Sequence, residues 1–347
     1  MIKYIGSKRR LVPVLGDMLA RAGATTALDL FTGTTRVAQE FKRRGAHVTA
    51  VDVARYSEVF AKCWIETDAS HIDARELGRI LVELENLPGA PGYFTKTFCV
   101  DSRYFQPHNG AKIDAIRDHI QTYFESSSLY PILLTALIMA ADRVDSTTGV
   151  QMAYLKDWAP RSFNNLEMRM PDLLRGSFDV AYLDPPYNQH RYFTNYHIFE
   201  TLVAWDRPEH YGIACKRIDS RDDSTKSVFN MRREMPLALR KTIADVDAEI
   251  VIVSYNNESW VTLKDLEDMC SVHGYVQSLA FDSKRYVGAQ IGIFNPSGER
   301  VGEVSHLRNL EYVLVCGPEA RVQSITKPYV NSETIPVTRA SGQLSLL

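Results

Sequence analysis

The pattern of apolar and polar residues along the first part of the chain is helical in some segments and strand-like in others. VPVLGDMLARAG (12–23) and RVAQEFKRRG (36–45) carry apolar residues at helical spacing, and each ends at a glycine. TALDLF (26–31) and HVTAVDV (47–53) are short apolar segments typical of strands. A glycine-containing turn, TGTT, follows the first of these strands. The order strand, turn, helix, strand therefore predicts a βαβ unit over residues 26–53.

The middle of the chain shows mostly helical periodicity. IDARELGRILVELENL and AKIDAIRDHIQTYFESS carry apolar residues at helical spacing, with the loop PGAPGYF (88–94) between them. The most apolar run, YPILLTALIMAA (130–141), is too short to cross a bilayer and predicts a buried helix. Because no alternating strand pattern is found here, residues 56–161 are predicted to form a helical insertion.

Strand-like segments return in the second half of the chain and alternate with helical ones. The predicted strands are LEMRM (166–170), DVAYLD (179–184), EIVIVSY (249–255), YVQSLAF (275–281) and LEYVLVC (310–316). The predicted helices are YHIFETLVAW (196–205), MPLALRKTIADV (235–246) and LKDLEDMCSVHG (263–274). This alternation predicts an open, mostly parallel sheet.

Three further segments lack a simple period. Residues 212–234 are polar and charge-rich, and they are predicted to form a mobile loop. Residues 285–307 are predicted to form a hairpin with an Asn-Pro-Ser-Gly turn. Residues 321–347 are rich in Ser, Thr and Pro and are predicted to form an extended tail.

The composition is that of a globular protein without a global attraction for polyanions. Of the 347 residues, 45% are hydrophobic and 24% are charged, and the formal net charge is -2. Binding to a nucleic acid must therefore rest on local basic patches. The N-terminal MIKYIGSKRR has no apolar secretion signal, and the five cysteines form no CxxC pair. We therefore expect reduced thiols, no metal site, no membrane association and a cytoplasmic location.

Three predicted strand ends carry residues suited to a ligand, since ligands of open α/β sheets bind at the carboxyl ends of strands. Gly33, in the turn of DLFTGTT (29–35), permits close approach of the backbone. Asp52 ends the next strand, where a carboxylate can accept hydrogen bonds from both ribose hydroxyls, and Asp184 ends a later one. The turn is neither GxGxxG nor GxxxxGK[ST], which disfavours dinucleotides and P-loop nucleotides. A nucleoside without a pyrophosphate needs fewer glycines, so S-adenosylmethionine (SAM) is the candidate cofactor.

The segment Asp184-Pro185-Pro186-Tyr187 makes this pattern specific. Together with KYIGSK (3–8), DLFTGT (29–34) and Asp52, it resembles the motif set of the D12 class of DNA adenine-N6 methyltransferases, the alpha group that includes the Dam-like enzymes. AYLK.W (153–158), DPPYN..RYF.NYH..ET (184–201) and SYNNE (254–258) are similar to a branch of that family found in restriction-modification systems.

The resemblance implies a Rossmann-like, SAM-dependent methyltransferase sheet with a helical insertion domain. Residues 1–55 and 162–320 would form the catalytic domain, and the insertion 56–161 would recognise the target. The residues expected to bind SAM are Tyr4, Gly6, Ser7, Lys8, Asp29, Phe31, Gly33, Thr34, Asp52 and Asp184. The expected substrate is an adenine in a specific double-stranded DNA sequence, flipped out because a stacked base cannot reach such a site.

The chemistry of exocyclic amines explains the four catalytic residues of this motif. The adenine N6 lone pair is conjugated with the ring, so the amine needs acceptors for its hydrogens before it can attack a methyl group. The Asp184 carboxylate is one acceptor and the Pro185 carbonyl is the other, since consecutive prolines (185 and 186) fix the backbone near φ -65°. Tyr187 offers a flat surface on which a flipped base can stack, worth about 1–3 kcal/mol.

Polar and basic residues near the catalytic motif and in two charged segments are expected to contact DNA. They are Asn188, Arg191, Lys216, Arg217, Arg221, Lys284, Arg285 and Tyr286. The segment from 215 to 233 also carries Asp219, Asp222 and Asp223, and a solvated loop is an equal alternative for it.

Two other functions are compatible with parts of this pattern. Some RNA guanine-N2 methyltransferases also carry Asp-Pro-Pro-Tyr, so an RNA exocyclic-amine methyltransferase is the main alternative. A catalytically inactive DNA-binding relative is another, although both Asp184 and Asp52 are intact. We expect a monomeric, nucleoid-associated bacterial enzyme, with a cognate restriction endonuclease acting separately.

Overall fold

The computed structural model describes residues 2–3, 8–174, 182–183, 192–222, 225–257, 259–284, 293–294, 300–302, 308–330 and 335–336. Its strands, in chain order, are β1 Thr26–Leu30, β2 His47–Val51, β3 Tyr182–Leu183, β4 His210–Tyr211, β5 Lys216–Arg217, β6 Val251–Asn256, β7 Tyr275–Lys284, β8 Ile293–Phe294, β9 Arg300–Gly302, β10 Arg308–Gly317 and β11 Ile335–Pro336. Its helices are α1 Val12–Arg21, α2 Arg36–Arg43, α3 Arg55–Ala61, α4 Ala74–Asn86, α5 Tyr93–Thr95, α6 Pro107–Phe124, α7 Tyr130–Val144, α8 Tyr192–Asn195, α9 His197–Ala204, α10 Met235–Asp245, α11 Leu263–Cys270 and α12 Glu319–Thr326.

The described strands include a seven-stranded sheet in the order β11-β7-β10-β6-β3-β1-β2. β1 runs parallel to β2 and β3, and β3 runs parallel to β6. β10 is antiparallel to both β6 and β7, and β11 is antiparallel to β7. The α/β class is confirmed, but the sheet is mixed rather than mostly parallel. The sequence predicts a hairpin, and no helix, between β7 and β10. Parallel pairing of successive strands requires a crossover connection, usually a helix, so these two strands pair antiparallel.

Alternate residues along the central strands face opposite layers of helices. Ile252 and Val313 pack with apolar side chains of α1, α2 and α12. Their chain neighbours Val253 and Leu314 pack with α10 and α11 on the other face. Because both faces are covered, apolar residues follow one another in the central strands, as in Val251–Val253 of β6, and all six residues of β6 are buried.

Helices α3, α4, α6 and α7 occupy most of the stretch 56–161, which was predicted to be a helical insertion, and they share a core with the rest of the chain. Leu137 of α7 and Ile116 of α6 belong to the same apolar cluster as Phe199 of α9. The buried side chain of Ile2, near the N-terminus, belongs to this cluster as well. The insertion is therefore packed into the protein through its core and not only joined to it by its two ends.

The structure departs from the predicted elements at three places. Residues 166–170 form no strand, because the backbone N–H groups of Leu166 and Met168 donate to the side chains of Asn109 and Glu85. The predicted tail begins inside α12, whose Val322 and Ile325 are buried against the sheet. The predicted loop 212–234 contains β5, which pairs with β4 in a small hairpin.

The hairpin expected within 285–307 is confirmed by the antiparallel pairing of β8 with β9, while the turn residues between them lie outside the described residues. Within the ranges that the structure describes, no helix has the length and apolarity required to span a membrane.

Candidate active site

The predicted ligand-binding strand ends lie side by side in the sheet. β3 is placed between β1 and β6, with Leu183 in register with Leu30 and Val253. Since these strands are parallel, the ends of β1, β3 and β6 open at one edge. From β1 the chain connects to β2 on one side, whereas β3 lies on the other, so this edge is a topological switch point where open α/β sheets bind ligands.

The glycine turn after β1 has an unusual backbone that is fixed to β2. Phe31, Gly33 and Thr35 have positive φ angles of 67°, 52° and 58°. The N–H groups of Phe31 and Thr32 both donate to the carbonyl of Val51, at 2.9 and 3.1 Å. Such conformations strain residues with side chains and are sustained only where the surroundings enforce them, which is common at ligand sites.

Asp29 shapes this turn from inside. Its side chain is 1% exposed, and its Oδ2 accepts hydrogen bonds from Thr32 Oγ1 at 2.7 Å and from the N–H of Ala38 at 3.1 Å. These bonds tie the turn to α2. Asp29 was predicted to bind SAM, but its hydrogen bonds hold the turn in place and are not directed at a ligand site. Thr34, another predicted SAM-binding residue in this turn, is also buried.

Asp52 connects the glycine turn with the loop after β2. Its Oδ2 accepts from the N–H of Gly33 and its Oδ1 from the N–H of Ala54, each at 2.9 Å. Burial raises the pKa of Asp52, while the N–H donors of Ala54 and Gly33 oppose that shift. Each carboxylate oxygen keeps a second lone pair, so the group can also accept two hydroxyls of a ribose. These acceptor oxygens thus fit the ribose hydroxyls of a nucleoside.

Two apolar side chains that the sequence did not single out lie next to these polar groups. Val53, directly after Asp52, is 96% exposed. Phe229 packs edge-on against Phe31, with ring centroids 4.8 Å apart. Phe229 comes from the segment 212–234, so part of this segment, in which DNA contacts were predicted, packs against the glycine turn. In the sequence, the signal that could have identified Val53 was its position directly after a strand-end acid.

The N-terminal residues expected to bind SAM are only partly described. Tyr4, Gly6 and Ser7 lie outside the described residues. Lys8 is buried, and its Nζ lies 3.0 Å from Glu311 Oε2 on β10. A contact between Lys8 and the carboxylate of SAM would therefore have to add to this ion pair or replace it.

The predicted catalytic motif, residues 184–187, and the predicted DNA contacts Asn188 and Arg191 lie outside the described residues. The structure does describe the strand that leads into the motif and the helices α8 and α9 that follow it. Gln151, from the loop after the insertion helix α7, holds the start of α9: its Oε1 accepts from the N–H groups of Ile198 and Phe199, at 2.9 and 3.3 Å.

Glu200 in α9 is a buried carboxyl that contacts the start of α3, a few residues after Asp52. It is 1% exposed, and its Oε1 accepts from the N–H of Tyr56, in the first turn of α3, at 3.4 Å. Burial raises its pKa to about 7, against the effect of the Tyr56 N–H and of Arg217 and Arg55. Glu200 therefore links the helix after the catalytic motif to the start of α3.

The predicted DNA contacts divide into surface and buried groups. Arg221 is exposed and lies over the ring of Tyr211, 3.8 Å from its centroid, and Lys216 is half-buried on β5. Arg217 is 4% exposed and forms ion pairs with Asp206 at 2.7 Å and Asp219 at 2.6 Å. This burial contradicts a DNA contact by Arg217, because its guanidinium is consumed by two carboxylates.

The remaining predicted contacts are not placed. Lys284 ends β7, but its side chain, like all of Arg285 and Tyr286, lies outside the described residues. Among the described residues, no three His, Cys, Asp or Glu side chains are grouped to hold a metal ion. All five cysteines are free and buried.

The fold and this edge define an α/β protein in which the glycine turn and Asp52 lie at a topological switch point, where such sheets bind ligands. The chain belongs to the D12 class N6 adenine-specific DNA methyltransferase family, whose model matches residues 4–178 and 172–269. This confirms the family expected from the motifs.

Several modification methylases are similar to the chain. The modification methylase StsI of Streptococcus sanguinis is 27% identical over 95% of this chain and 54% of its own length. The Type II methyltransferase M.NlaIII of Neisseria lactamica is 28% identical over 82% of this chain and 92% of its own length. The chain thus spans about half of the first relative and most of the second. No solved structure matches the chain significantly.

Proposed function

We propose that this protein transfers a methyl group from SAM to the N6 amine of an adenine flipped out of a specific double-stranded DNA sequence. The observation that carries the proposal is the pair of hydrogen bonds by which Asp52 joins the glycine turn to the loop after β2. This arrangement lies at the sheet edge where β3 leads into Asp184. Because Asp184 follows β3 directly in the sequence, the proposal puts the amine-activating motif beside the nucleoside site.

The cofactor site is assigned to residues of the first two strand ends. SAM supplies an electrophilic methyl group when it is bound. Asp52 accepts the ribose hydroxyls, Val53 offers an apolar surface for the purine, and Gly33 lets the backbone approach. Phe31, supported by Phe229, closes the other side.

The target base is assigned to the motif 184–187. The Asp184 carboxylate and the Pro185 carbonyl accept the two N6 hydrogens, so the nitrogen can rehybridise while positive charge develops on it. Tyr187 stacks on the flipped ring. Lys216 and Arg221, on the surface of the β4–β5 region, contact the DNA backbone, and the helical insertion recognises the sequence.

The cellular setting follows from the same proposal. Methylation of a specific sequence protects DNA from a restriction endonuclease that acts as a separate protein. The enzyme acts as a monomer in the bacterial cytoplasm, on the DNA of the nucleoid.

A labelling experiment tests the proposal directly. The purified protein is incubated with plasmid DNA and methyl-labelled SAM, and the DNA is digested to nucleosides. Label in N6-methyladenine is expected. Label found only in guanine of added RNA would instead identify an RNA exocyclic-amine methyltransferase, and binding of DNA without any transfer would identify an inactive relative.

Two substitutions separate catalysis from cofactor binding. Asp184→Ala should lower transfer by about 100-fold or more, since it removes one preorganised acceptor, while SAM still binds. Asp52→Ala should weaken SAM binding by about 10- to 100-fold through lost hydrogen bonds to a charged group. Asp247→Ala, an exposed acid before β6 at the opposite edge of the sheet, is the control. Unchanged SAM affinity in Asp52→Ala would remove Asp52 from the cofactor site.

A further inference from the structure

A cavity of about 330 Å³ lies along one face of α2. Arg36, Gln39 and Arg43 line it, and side chains three and four positions apart in a helix lie on the same face. Arg9, shortly before α1, lines the cavity as well. The volume lies within the range of about 300–1,000 Å³ that is typical of small-molecule sites.

The lining of this cavity has a surplus of positive charge. Its ionisable residues are the three arginines and Asp172, which leaves two positive charges in excess. Asp172 lies 3.4 Å from Arg43 Nη2, but its side chain is 85% exposed, so solvent weakens this pair. Because the whole chain has a formal net charge of -2, the surplus is local and does not follow from the composition.

The guanidinium of Arg36 is poorly compensated by the protein itself. Its Nη2 donates to the carbonyl of Ile2 at 3.3 Å, whereas its buried Nε has no hydrogen-bond partner within the described part of the chain. Burial and, next, the charge of Arg9 lower the pKa of Arg36, while Asp142 opposes this shift. A buried charged donor without an acceptor costs free energy. An anion in the cavity would supply the counter-charge.

The cavity also has apolar surface, which narrows the choice of anion. Trp64 and Met139 line it, together with Ile2 and Val12. Ligand sites commonly combine apolar surface with a few charged groups that fix the orientation of the ligand. The arginines suit an oxyanion, and the apolar side chains suit an organic group attached to it, such as a sugar.

We propose that Arg9, Arg36 and Arg43 bind the phosphate group of a sugar–phosphate ligand, either a free nucleotide or the backbone of DNA. Guanidinium groups bind phosphate oxygens through paired hydrogen bonds. A terminal phosphate carries about -1.5 to -2 charges near neutral pH, which matches the surplus of the lining. The described lining includes neither Gly33 nor Asp52, so this site is separate from the one assigned to the ribose of SAM.

Chemical modification of arginines locates the ligand. The wild-type protein is treated with phenylglyoxal alone, with a deoxynucleoside monophosphate or with duplex DNA at matched ionic strength, and modified residues are identified by peptide mass spectrometry. Arg9 and Arg43 are exposed in the free protein, so ligand binding should slow their modification. Arg240, an exposed arginine of α10 on the opposite face of the sheet, is the control and should react equally in all three conditions.

Matched variants measure the contribution of the arginines to affinity. Arg9→Gln and Arg43→Gln should each weaken binding of the deoxynucleoside monophosphate, measured by calorimetry, by about tenfold through a lost charged hydrogen bond. Arg43→Lys, which keeps the charge, should retain more affinity than Arg43→Gln, and Arg240→Gln should bind like the wild type. If DNA is the ligand, each Gln variant at 9 or 43 should reduce the slope of log affinity against log salt by about one.

The outcomes identify the source of the phosphate or overturn the site. Protection of Arg9 and Arg43 by the nucleotide alone supports a free nucleotide, and protection by DNA supports the DNA backbone. Equal modification with and without both ligands would overturn the proposal, and so would unchanged affinity for both ligands in both Gln variants. Displacement of the nucleotide by SAM would also overturn it, because the cavity would then belong to the cofactor site. Failure of methyl transfer would leave this site unaffected, since none of these measurements uses that reaction.

Discussion

Glu200 shows how one buried residue can make the whole protein sensitive to pH. Its carboxyl is enclosed in the apolar core and accepts hydrogen bonds from the backbone N–H groups of Tyr56, at 3.4 Å, and of Arg55. Burial raises its pKa to about 7 from the ordinary 4.5. The folded state therefore holds a proton between these two values that the unfolded chain releases.

The sign of the resulting pH dependence is fixed by linkage. The folded state binds more protons than the unfolded state between pH 4.5 and 7, so this residue's contribution to stability is lost as pH rises through about 7. Glu200→Gln removes the titration. Relative to the wild type, the variant should gain stability between pH 5 and pH 8, with a slope of at most about 1.4 kcal/mol per pH unit.

Urea unfolding at the two pH values measures this difference. Glu58→Gln, which removes an exposed carboxyl from the neighbouring helix α3, serves as the control for loss of a charge. A difference between Glu200→Gln and wild type that is the same at both pH values would contradict the buried titration.

Among single residues, the sequence identified those whose role follows from their position relative to nearby residues in the chain. Asp52 follows a strand at a fixed distance from Gly33, and the structure joins the two by a hydrogen bond. Asp29 and Arg217 have equally suggestive positions in the sequence. Both residues are buried, and their side chains bind other residues of the protein. No local sequence pattern identifies these partners.

At the scale of elements, α9 is held at both ends by the helical insertion. Gln151 accepts from the N–H groups of Ile198 and Phe199 at its start, where no side chain of the helix itself forms a cap. Arg117 of α6 donates to the carbonyls of Leu202 and Val203 at its end, at 2.7 and 3.1 Å. These contacts satisfy terminal groups that a helix cannot satisfy alone.

Gln151→Leu tests whether this support matters for catalysis. It leaves two buried N–H groups without an acceptor and should cost about 1–3 kcal/mol of stability. Because α9 follows the catalytic motif, kcat for methyl transfer should fall while the affinity for SAM stays near the wild-type value.

Gln151→Glu is the matched variant, since its carboxylate keeps an acceptor oxygen at a helix N-terminus that favours negative charge. It should retain more activity than Gln151→Leu. Equal kcat in Gln151→Leu and wild type would show that the position of α9 does not affect the reaction.

Helices and strands could be predicted wherever the periodic pattern of apolar residues extended over enough residues. The βαβ unit and the strands β6, β7 and β10 lie where the apolar patterns place them. Residues 166–170 have a strand-like pattern, yet their N–H groups bond to Asn109 and Glu85. Periodicity reports which side chains are buried, but the partner of a backbone group depends on the neighbouring element.

At the scale of the molecule, the core of the insertion extends into the remainder of the protein. Ala38 of α2, Phe199 of α9 and Ile2 belong to the same apolar cluster as the insertion helices. A cut at residues 56 and 161 would therefore expose apolar surface on both parts, and we expect the chain to unfold as one unit.

Paired core substitutions test this expectation. Leu137→Ala in the insertion and Leu314→Ala in β10 both remove fully buried side chains, at 0% exposure, and each should cost about 2–5 kcal/mol. Both should shift the same single thermal transition, monitored by circular dichroism and by tryptophan fluorescence.

Val82→Ala on α4, where the side chain is 61% exposed, is the control and should change stability by less than about 0.5 kcal/mol. Two separate transitions, each moved by only one of the core variants, would show that the insertion folds independently.

The sequence alone determined the class of chemistry, because the glycine turn, the strand-end acid and Asp-Pro-Pro-Tyr are each local in the chain and are chemically specific in combination. The tertiary structure decided which distant residues contact one another. Lys3 meets Asp142 across 139 positions of sequence, and Gln151 reaches α9 across 47. It also decided that β10 runs against its neighbours. Such contacts depend on how elements pack, and packing is a property of the whole chain that no segment encodes by itself.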